Sequence, residues 1–295
     1  MNKKMNIFKR VFRRVYLKVL SRVNLLQYNK TRYYYSLGRE LNVKNPQTLD
    51  EKIVYMSFNS DISLWAECAD KIKVRDYVTN HGFGYMLNDL YGVYDKPEQI
   101  NYDQLPDKFV IKTNHASGTN IIVKDKSLIN KAEINKQLNE WLKTDYSRKS
   151  GDPHYSMIQP RILIEKFLND YSGYNSETSL ADYKFFCING EPVCVEMMTD
   201  RANHSHKRRF YDMDWKVRDE WMLEGYPVAD VAEKPEPFDE MRKAAKELSA
   251  DFCFVRVDFY IINGKPIFGE LTFTPGATEC SQKFQEEIGR KMIIK

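Results

Sequence analysis

Val255-Arg-Val-Asp258-Phe-Tyr-Ile-Ile-Asn263-Gly264-Lys-Pro-Ile-Phe-Gly-Glu270-Leu-Thr272 is a run of two alternating segments joined by Asn-Gly. The segments read as strands and the dipeptide as a hairpin turn. On the first strand Val255, Val257, Phe259 and Ile261 alternate with Arg256, Asp258 and Tyr260; on the second, Ile267, Gly269, Leu271 and Phe273 alternate with Phe268, Glu270 and Thr272. Side chains change face with period two, so both apolar sets must share the core face. Both are odd-numbered, so paired residues sum to an even number. This predicts a turn of odd length, most simply three residues with Gly264 at positive φ. Asp258 and Glu270 then share the polar face with Arg256 and Thr272, directly opposite or one diagonal apart, with Cβ atoms roughly 5–8 Å from each other. Two carboxylates so placed suit a hard cation such as Mg²⁺, which takes oxygen ligands and substrate phosphates. The alternative is a surface hairpin in which Arg256 pairs with one acid.

A second segment bears on phosphate chemistry. Phe109-Val-Ile-Lys112 reads as a strand ending in lysine, followed by the polar loop His115-Ala-Ser-Gly-Thr-Asn120 and a return strand Ile121–Lys124. Such a loop turns backbone N–H groups onto phosphate oxygens, with Lys112 as a point charge. The Walker A spacing is absent, and an ordinary hairpin turn fits the same residues. Elsewhere Thr48 and Glu51 form a capping box before a helix to about Phe58. A further helix is predicted from Ser63 to Asn80, an apolar strand over Arg161–Leu168, and a hairpin through Asn189-Gly190. Helices follow over Phe238–Ala250 and Ser281–Ile294. The class is α+β with mostly antiparallel strands.

The chain has 295 residues, enough for one large domain or two lobes about a cleft. Its five cysteines include no C-x-x-C pair, which argues for reduced thiols rather than a disulfide framework or a zinc site. The net charge of +4 hides an asymmetry. Residues 1–32 carry ten Lys or Arg and no acid, leaving 35 basic against 41 acidic residues in the body. In that segment Ile7, Phe8, Val11, Phe12, Val15, Tyr16, Val19, Leu20 and Val23 line one helical face. Such a helix either docks on an anionic membrane surface or on a partner, or packs its apolar face on the body. Nucleic acid is not an expected partner, because the body is acidic and no nucleic-acid motif appears.

The order lysine strand, Gly-containing loop, Ile164-Glu-Lys-Phe-Leu168 strand and late D…E hairpin resembles the ATP-grasp fold. More specifically, several motifs resemble the TupA-like ATP-grasp family, associated with teichuronopeptide and capsular or other surface polysaccharide biosynthesis. They are Leu41–Lys52, Ala69-Asp-Lys71 with Val74-Arg75, Phe109–His115, Asp182-Tyr-Lys-Phe-Phe186, Phe210–Trp215 and Phe268–Gly276. The resemblance covers about residues 38–295. It implies two lobes of largely antiparallel sheet plus helices enclosing an ATP cleft, with an extra basic N-terminal helix. The expected divisions are 1–32 for that helix, 33–106 for a helical region, 107–168 for the small lobe and 169–295 for the large lobe with the metal hairpin.

By position, the resemblance assigns Lys112 to the ATP α/β-phosphates. It assigns His115, Ser117, Gly118, Thr119 and Asn120 to the phosphate-covering loop, and Glu165, Lys166, Phe167 and Leu168 to the adenine and ribose pocket. Lys184 approaches phosphate or substrate, Asp258 and Glu270 hold Mg²⁺, and Arg256 stabilises the transferring phosphoryl group. Thr272 stands where many ATP-grasp enzymes have Asn as a metal ligand. The implied reaction is ligation of an amino acid or amine donor to a carboxylated sugar through an acyl-phosphate. The basic stretch Arg201, His204, His206, Lys207, Arg208 and Arg209 is expected to hold the anionic acceptor. The expected location is cytoplasmic, at the inner face of the membrane if the N-terminal helix docks there. Two other readings stand beside it: a glycosyltransferase using Asp212-Met-Asp214 as a D-x-D, and a non-catalytic nucleotide-binding scaffold that recruits glycan-assembly enzymes through residues 1–32.

Overall fold

The computed structural model describes residues 2–175, 179–200, 206–276 and 280–294, with side chains from residue 11 onward. The elements in chain order are α1 (Asn2–Val23), α2 (Leu25–Leu37), α3 (Leu49–Asn59), α4 (Ser63–Ala69), α5 (Val74–Asn80), β1 (Leu90–Tyr94), β2 (Phe109–Thr113), β3 (Asn120–Val123), α6 (Lys131–Leu142), α7 (Tyr146–Ser150), β4 (Ile162–Lys166), β5 (Asp182–Ile188), β6 (Glu191–Thr199), β7 (Lys207–Asp212), α8 (Phe238–Ser249), β8 (Phe254–Ile262), β9 (Lys265–Thr272) and α9 (Gln282–Lys291).

Two antiparallel sheets result, one of order β1-β4-β2-β3 and one of order β7-β6-β5-β8-β9. The α+β class is as expected. The smaller sheet also draws on residues 90–94, well before residue 107. Its core is Phe109, Ile111, Ile162 and Ile164 packed with Ile134 and Leu138 of α6. In β2 the alternation buries Phe109, Ile111 and Thr113, leaving Val110 and Lys112 on the other face. The larger sheet packs Phe185, Val257 and Phe259 against Phe238, Met241 and Leu248 of α8, and Phe186 against Phe284 of α9.

Two helices depart from the sequence expectation. The helix over 63–80 is broken into α4 and α5 around Asp70–Lys73. Asp70 explains the break: its carboxylate accepts hydrogen bonds from the Ile72 N–H (2.9 Å) and the Asn114 amide (2.9 Å), competing with helical bonding. The basic N-terminal helix is likewise two helices, with Asn24 as the N-cap of the second. Leu20 packs inward, while Val11, Phe12, Val15, Tyr16, Val19 and Val23 are exposed. Of the predicted apolar stripe, among the residues whose side chains are described, Leu20 alone is buried.

The decisive hairpin reaches the predicted pairing by a different route. Its turn has two residues, Asn263 (φ 50°) and Gly264 (φ 73°), and Ile262 pairs with Lys265. Two consecutive positive φ values mark the turn that matches strand twist. The odd parity comes instead from a bulge at Gly269, since the register shifts between Asp258 and Phe259. A Cβ at Gly269 would sit 3.0 Å from the Asp258 carbonyl oxygen, which is why glycine occupies the bulge. Beyond the bulge the faces exchange. Phe268 pairs with Phe259 and is buried, whereas Ile267 turns outward beside Tyr260.

Candidate active site

In the larger sheet, Glu196 pairs with Lys184, Lys184 with Asp258, and Asp258 with Glu270. Four strands thus place one row of charges on one face, as period-two alternation requires. The Lys184 ammonium lies 2.7 Å from Asp258 Oδ2 and 3.7 Å from Asp182. Arg256, two residues before Asp258, donates Nε–H to Oδ1 (2.7 Å) and Nη2–H to Oδ2 (2.6 Å), a two-pronged clamp on the same carboxylate. Its Nη2 also reaches the Thr272 hydroxyl (3.1 Å) and lies 3.5 Å from Glu270; Thr272 in turn donates to Glu270 (3.0 Å). Asp258 is almost fully buried, and Glu270 is partly exposed. Burial alone would raise the Asp258 pKa. The Arg256 guanidinium and the Lys184 ammonium outweigh it and hold the carboxyl below its ordinary range. Burial opposes the charge on Arg256, but Asp258 and Glu270 secure it.

The smaller sheet answers from across a cleft. Lys112, on the unburied face of β2, lies 2.7 Å from Glu165 of β4. The Arg75 guanidinium of α5 is 3.6 Å from the other Glu165 oxygen. The loop Ser117, Gly118, Thr119, Asn120 lines the same space; Gly118 has φ 71°, and the Thr113 and Thr119 hydroxyls are 2.6 Å apart at its base. A third wall is the break between α4 and α5, where Lys71 donates to the Ala116 carbonyl (2.8 Å). Burial lowers the Lys71 pKa, and Glu270 opposes that. Together these residues enclose a cavity of about 260 Å³. Lys71, Arg75, Lys112 and Lys184 face Glu165, Asp182, Asp258 and Glu270 around it. A cleft with several cations and two carboxylates on one strand pair suits a polyphosphate carrying a metal ion.

A family model for TupA-like ATP-grasp proteins matches residues 51–293. The chain belongs to the TupA-like ATP-grasp family. No curated protein gives a significant sequence match. Solved structures similar to this TupA-like chain are distant. D-alanine–D-alanine ligase from Bacillus anthracis complexed with ATP is 15% identical, with 77% of this chain and 62% of that chain covered and a TM-score of 0.43. For L-amino acid ligase from Bacillus licheniformis the values are 13%, 77%, 49% and 0.46. For the ATP-grasp ligase PsnB complexed with a phosphomimetic variant of its minimal precursor, Mg and ADP they are 11%, 89%, 64% and 0.40. The TupA-like chain spans less than two thirds of the length of each of these.

Of the residues singled out in the sequence, Lys112, Ser117, Gly118, Thr119, Asn120, Glu165, Leu168, Lys184, Asp258 and Glu270 line the cleft. Others lie elsewhere. His115 is buried, with Nε2 3.3 Å from the Thr144 carbonyl, and burial lowers its pKa. Lys166 points to solvent and pairs with Asp89 (2.9 Å), and Phe167 is half-buried outside the cavity wall. Arg256 and Thr272 stand one row behind the carboxylates. Arg208 is buried and lies 3.0 Å from Glu196, with His206 Nε2 at 3.3 Å; Arg209 lies 3.3 Å from Asp219. Arg208 and Arg209 are thus drawn into ion pairs, whereas Lys207 is exposed, and none of these residues lines the cleft cavity. Arg201 and His204 fall outside the described residues. Asp212 accepts the Asp214 and Lys216 N–H groups on Oδ1 (both 3.0 Å), so the D-x-D forms a local turn. Lys71, Arg75 and Asp182 also line the cleft; no spacing signal in the sequence marks them, although all three sit within the motifs that carry the family resemblance.

Proposed function

We propose that this TupA-like chain is an ATP- and Mg²⁺-dependent carboxylate–amine ligase that attaches an amino acid or amine to a uronic-acid-type carboxylate in capsular or other surface polysaccharide biosynthesis. The observation that carries this reading is the meeting of Lys112 from one sheet with the Lys184–Asp258–Glu270 row of the other around a single cavity. Family membership supports the reaction class; the polysaccharide context rests on the family resemblance read from the sequence.

The chain's own residues fit each part. Lys112, Lys71 and the Ser117–Asn120 backbone receive phosphate oxygens; Glu165 and Leu168 bound the nucleoside end. Asp258 and Glu270 fit Mg²⁺, which needs only one or two carboxylates when phosphates complete its shell. Among the described residues no group of three or more His, Cys, Asp or Glu is placed to hold a metal ion. When bound, the metal neutralises phosphate charge. Arg256 holds Asp258 rigid and keeps it ionised. In the first step a carboxylate oxygen attacks the γ-phosphorus and ADP leaves. In the second, the amine attacks the acyl carbon, loses a proton and expels phosphate, forming the amide. Lys184 and Lys71 offset the charge on the transferring group.

The exposed apolar side of α1 supports placement on an anionic membrane surface. Arg14, Lys18 and Arg22 are also exposed on it, and among the described residues no helix is long and apolar enough to cross a membrane. The deciding experiment is a Mg·ATP turnover screen pairing each amino acid with uronic-acid carboxylates, with Lys112→Ala and Glu270→Ala as controls. ADP release requiring both partners, and lost in both variants, is the expected result. Neither ATP binding nor ADP release with any pair would end the proposal.

A further inference from the structure

Three side chains of α2 reach carbonyls at the end of α7. The Tyr28 hydroxyl donates to the Lys149 carbonyl (3.2 Å), the Asn29 amide to the Gly151 carbonyl (2.6 Å) and the Arg32 guanidinium to the Ser150 carbonyl. The last carbonyls of a helix have no partner within it, so α2 supplies what α7 lacks. Tyr28 and Asn29 are buried, and the Asn29 amide also donates to the Leu25 carbonyl of its own helix (3.1 Å), which fixes its direction. The approach is close. A Cβ at Gly151 (φ 92°) would sit 2.6 Å from Asn29 Oδ1 and 2.9 Å from the Tyr28 ring, so both the left-handed backbone and the contact require glycine. α2 lies outside residues 51–293, the part of the chain that the family model matches.

The other end of α7 leads into the cleft. Tyr146 opens the helix, and its hydroxyl is hydrogen-bonded by the hydroxyl and the backbone N–H of Ser117, the first residue of the cleft-lining loop Ser117–Asn120. Its ring stands edge-on to Tyr155 at 4.8 Å. Tyr155 in turn lies 4.2 Å from the ring of His154, which packs edge-on to Trp65 and to Phe273, the residue after Thr272. Burial raises the pKa of both tyrosine hydroxyls, and the Glu270 carboxylate adds to it. A helix of five residues does not hold its shape in water by itself. What grips its ends therefore decides where Tyr146 stands.

Resting on the ATP-cleft reading above, we propose that Tyr28, Asn29 and Arg32 are positioning residues for ATP. They fix α7, and through Tyr146 they set Ser117 and the backbone N–H groups of its loop against the incoming phosphates. None of the three touches the nucleotide.

Calorimetric titration of Mg·ATP into the full chain tests this. Two variants loosen the brace, Asn29→Ala and Tyr28→Phe/Arg32→Ala. The second keeps the buried Asn29 and the Tyr28 ring, and it decides the matter if Asn29→Ala does not fold. It and Tyr146→Phe should each weaken Mg·ATP binding about 3- to 10-fold, as for one or two lost hydrogen bonds. The triple variant Tyr28→Phe/Arg32→Ala/Tyr146→Phe should bind no more weakly than Tyr146→Phe alone, because the brace acts through that residue. Binding undiminished in Tyr28→Phe/Arg32→Ala overturns the brace and leaves the ligase reading standing. Losses that add in the triple variant overturn it too, since α2 would then act on the fold at large and not on the loop. No ATP binding by the wild-type chain removes the ligase reading, and the brace with it.

Discussion

Replacing Asp258 by Asn removes one negative charge from a place where two cations depend on it. The carboxylate is 2% exposed and receives both prongs of Arg256 (2.7 and 2.6 Å) and the ammonium of Lys184 (2.7 Å). In Asp258→Asn, the amide oxygen and the Thr272 hydroxyl still accept hydrogen bonds, but the remaining carboxylates are Glu270 at 3.5 Å from Arg256 and Asp182 at 3.7 Å from Lys184, so neither cation keeps a close counter-ion. Breaking a buried pair in this way costs about 3–5 kcal/mol. At roughly 2–4 °C per kcal/mol for a protein near this size, the Tm should fall by about 6–20 °C. The acid limb of stability should change as well. The folded carboxyl is held below its ordinary range, so its contribution is complete above the unfolded pKa of about 3.9 and lost as pH falls through the lower folded value. Asp258→Asn should lack that loss. Glu270→Gln is the matched control: its side chain is 41% exposed, so about 1 kcal/mol or less is expected. Calorimetric or spectroscopic melting of both variants without nucleotide reads the difference. Equal Tm values for the two variants would refute the claim that Asp258 is a buried electrostatic keystone and Glu270 a solvent-facing ligand.

Further outcomes follow from other parts of the molecule. His154 is fully buried between Trp65 and Phe273, and burial lowers its pKa to about 4. The unfolded chain therefore takes up the proton first. Stability is full above about pH 6.5 and falls by up to roughly 3 kcal/mol toward pH 4, a loss that His154→Leu should remove in melts recorded across that range. Gly269→Ala should strain the bulge by about 1–3 kcal/mol and weaken ATP binding out of proportion to the Tm change, since the bulge sets Asp258 opposite Glu270. Phe12→Glu with Val15→Glu should abolish sedimentation with phosphatidylglycerol vesicles without lowering the Tm, because both side chains are exposed. Equal binding to phosphatidylcholine vesicles would contradict the electrostatic part of that expectation.

The hairpin shows what the sequence could yield. Apolar alternation next to the carboxylates sufficed to pair Asp258 with Glu270, because Val257 and Leu271 share the core face there, although beyond the bulge Phe268 rather than Ile267 is buried. The mechanism of the parity was legible too, yet misassigned: Asn263-Gly264 is a two-residue turn, and the lone Gly269 inside a strand pattern is the bulge signal. What periodicity does not encode is partnership at long range. Glu165 meets Arg75 and Lys112 from three different elements, and Lys71 reaches the cleft only because Asp70 breaks the helix predicted across it. Arg208 lies in a basic run that looks solvated, but the Glu196 carboxylate two strand positions away draws it into the interior. The grip of α2 on α7 was invisible in the sequence for the same reason. Tyr28, Asn29 and Arg32 read as ordinary helix residues until the Lys149, Gly151 and Ser150 carbonyls are packed beside them.

The central claim is that the cleft between the two sheets binds ATP through a metal ion on Asp258 and Glu270. Titration calorimetry of ATP into the wild-type chain and into Glu270→Gln, each with Mg²⁺ and with EDTA, tests it most directly. The account predicts that Mg²⁺ strengthens ATP binding at least tenfold in the wild type and has little effect in Glu270→Gln. ATP affinity that is the same with Mg²⁺ and EDTA, or a Mg²⁺ effect undiminished in the variant, would contradict it.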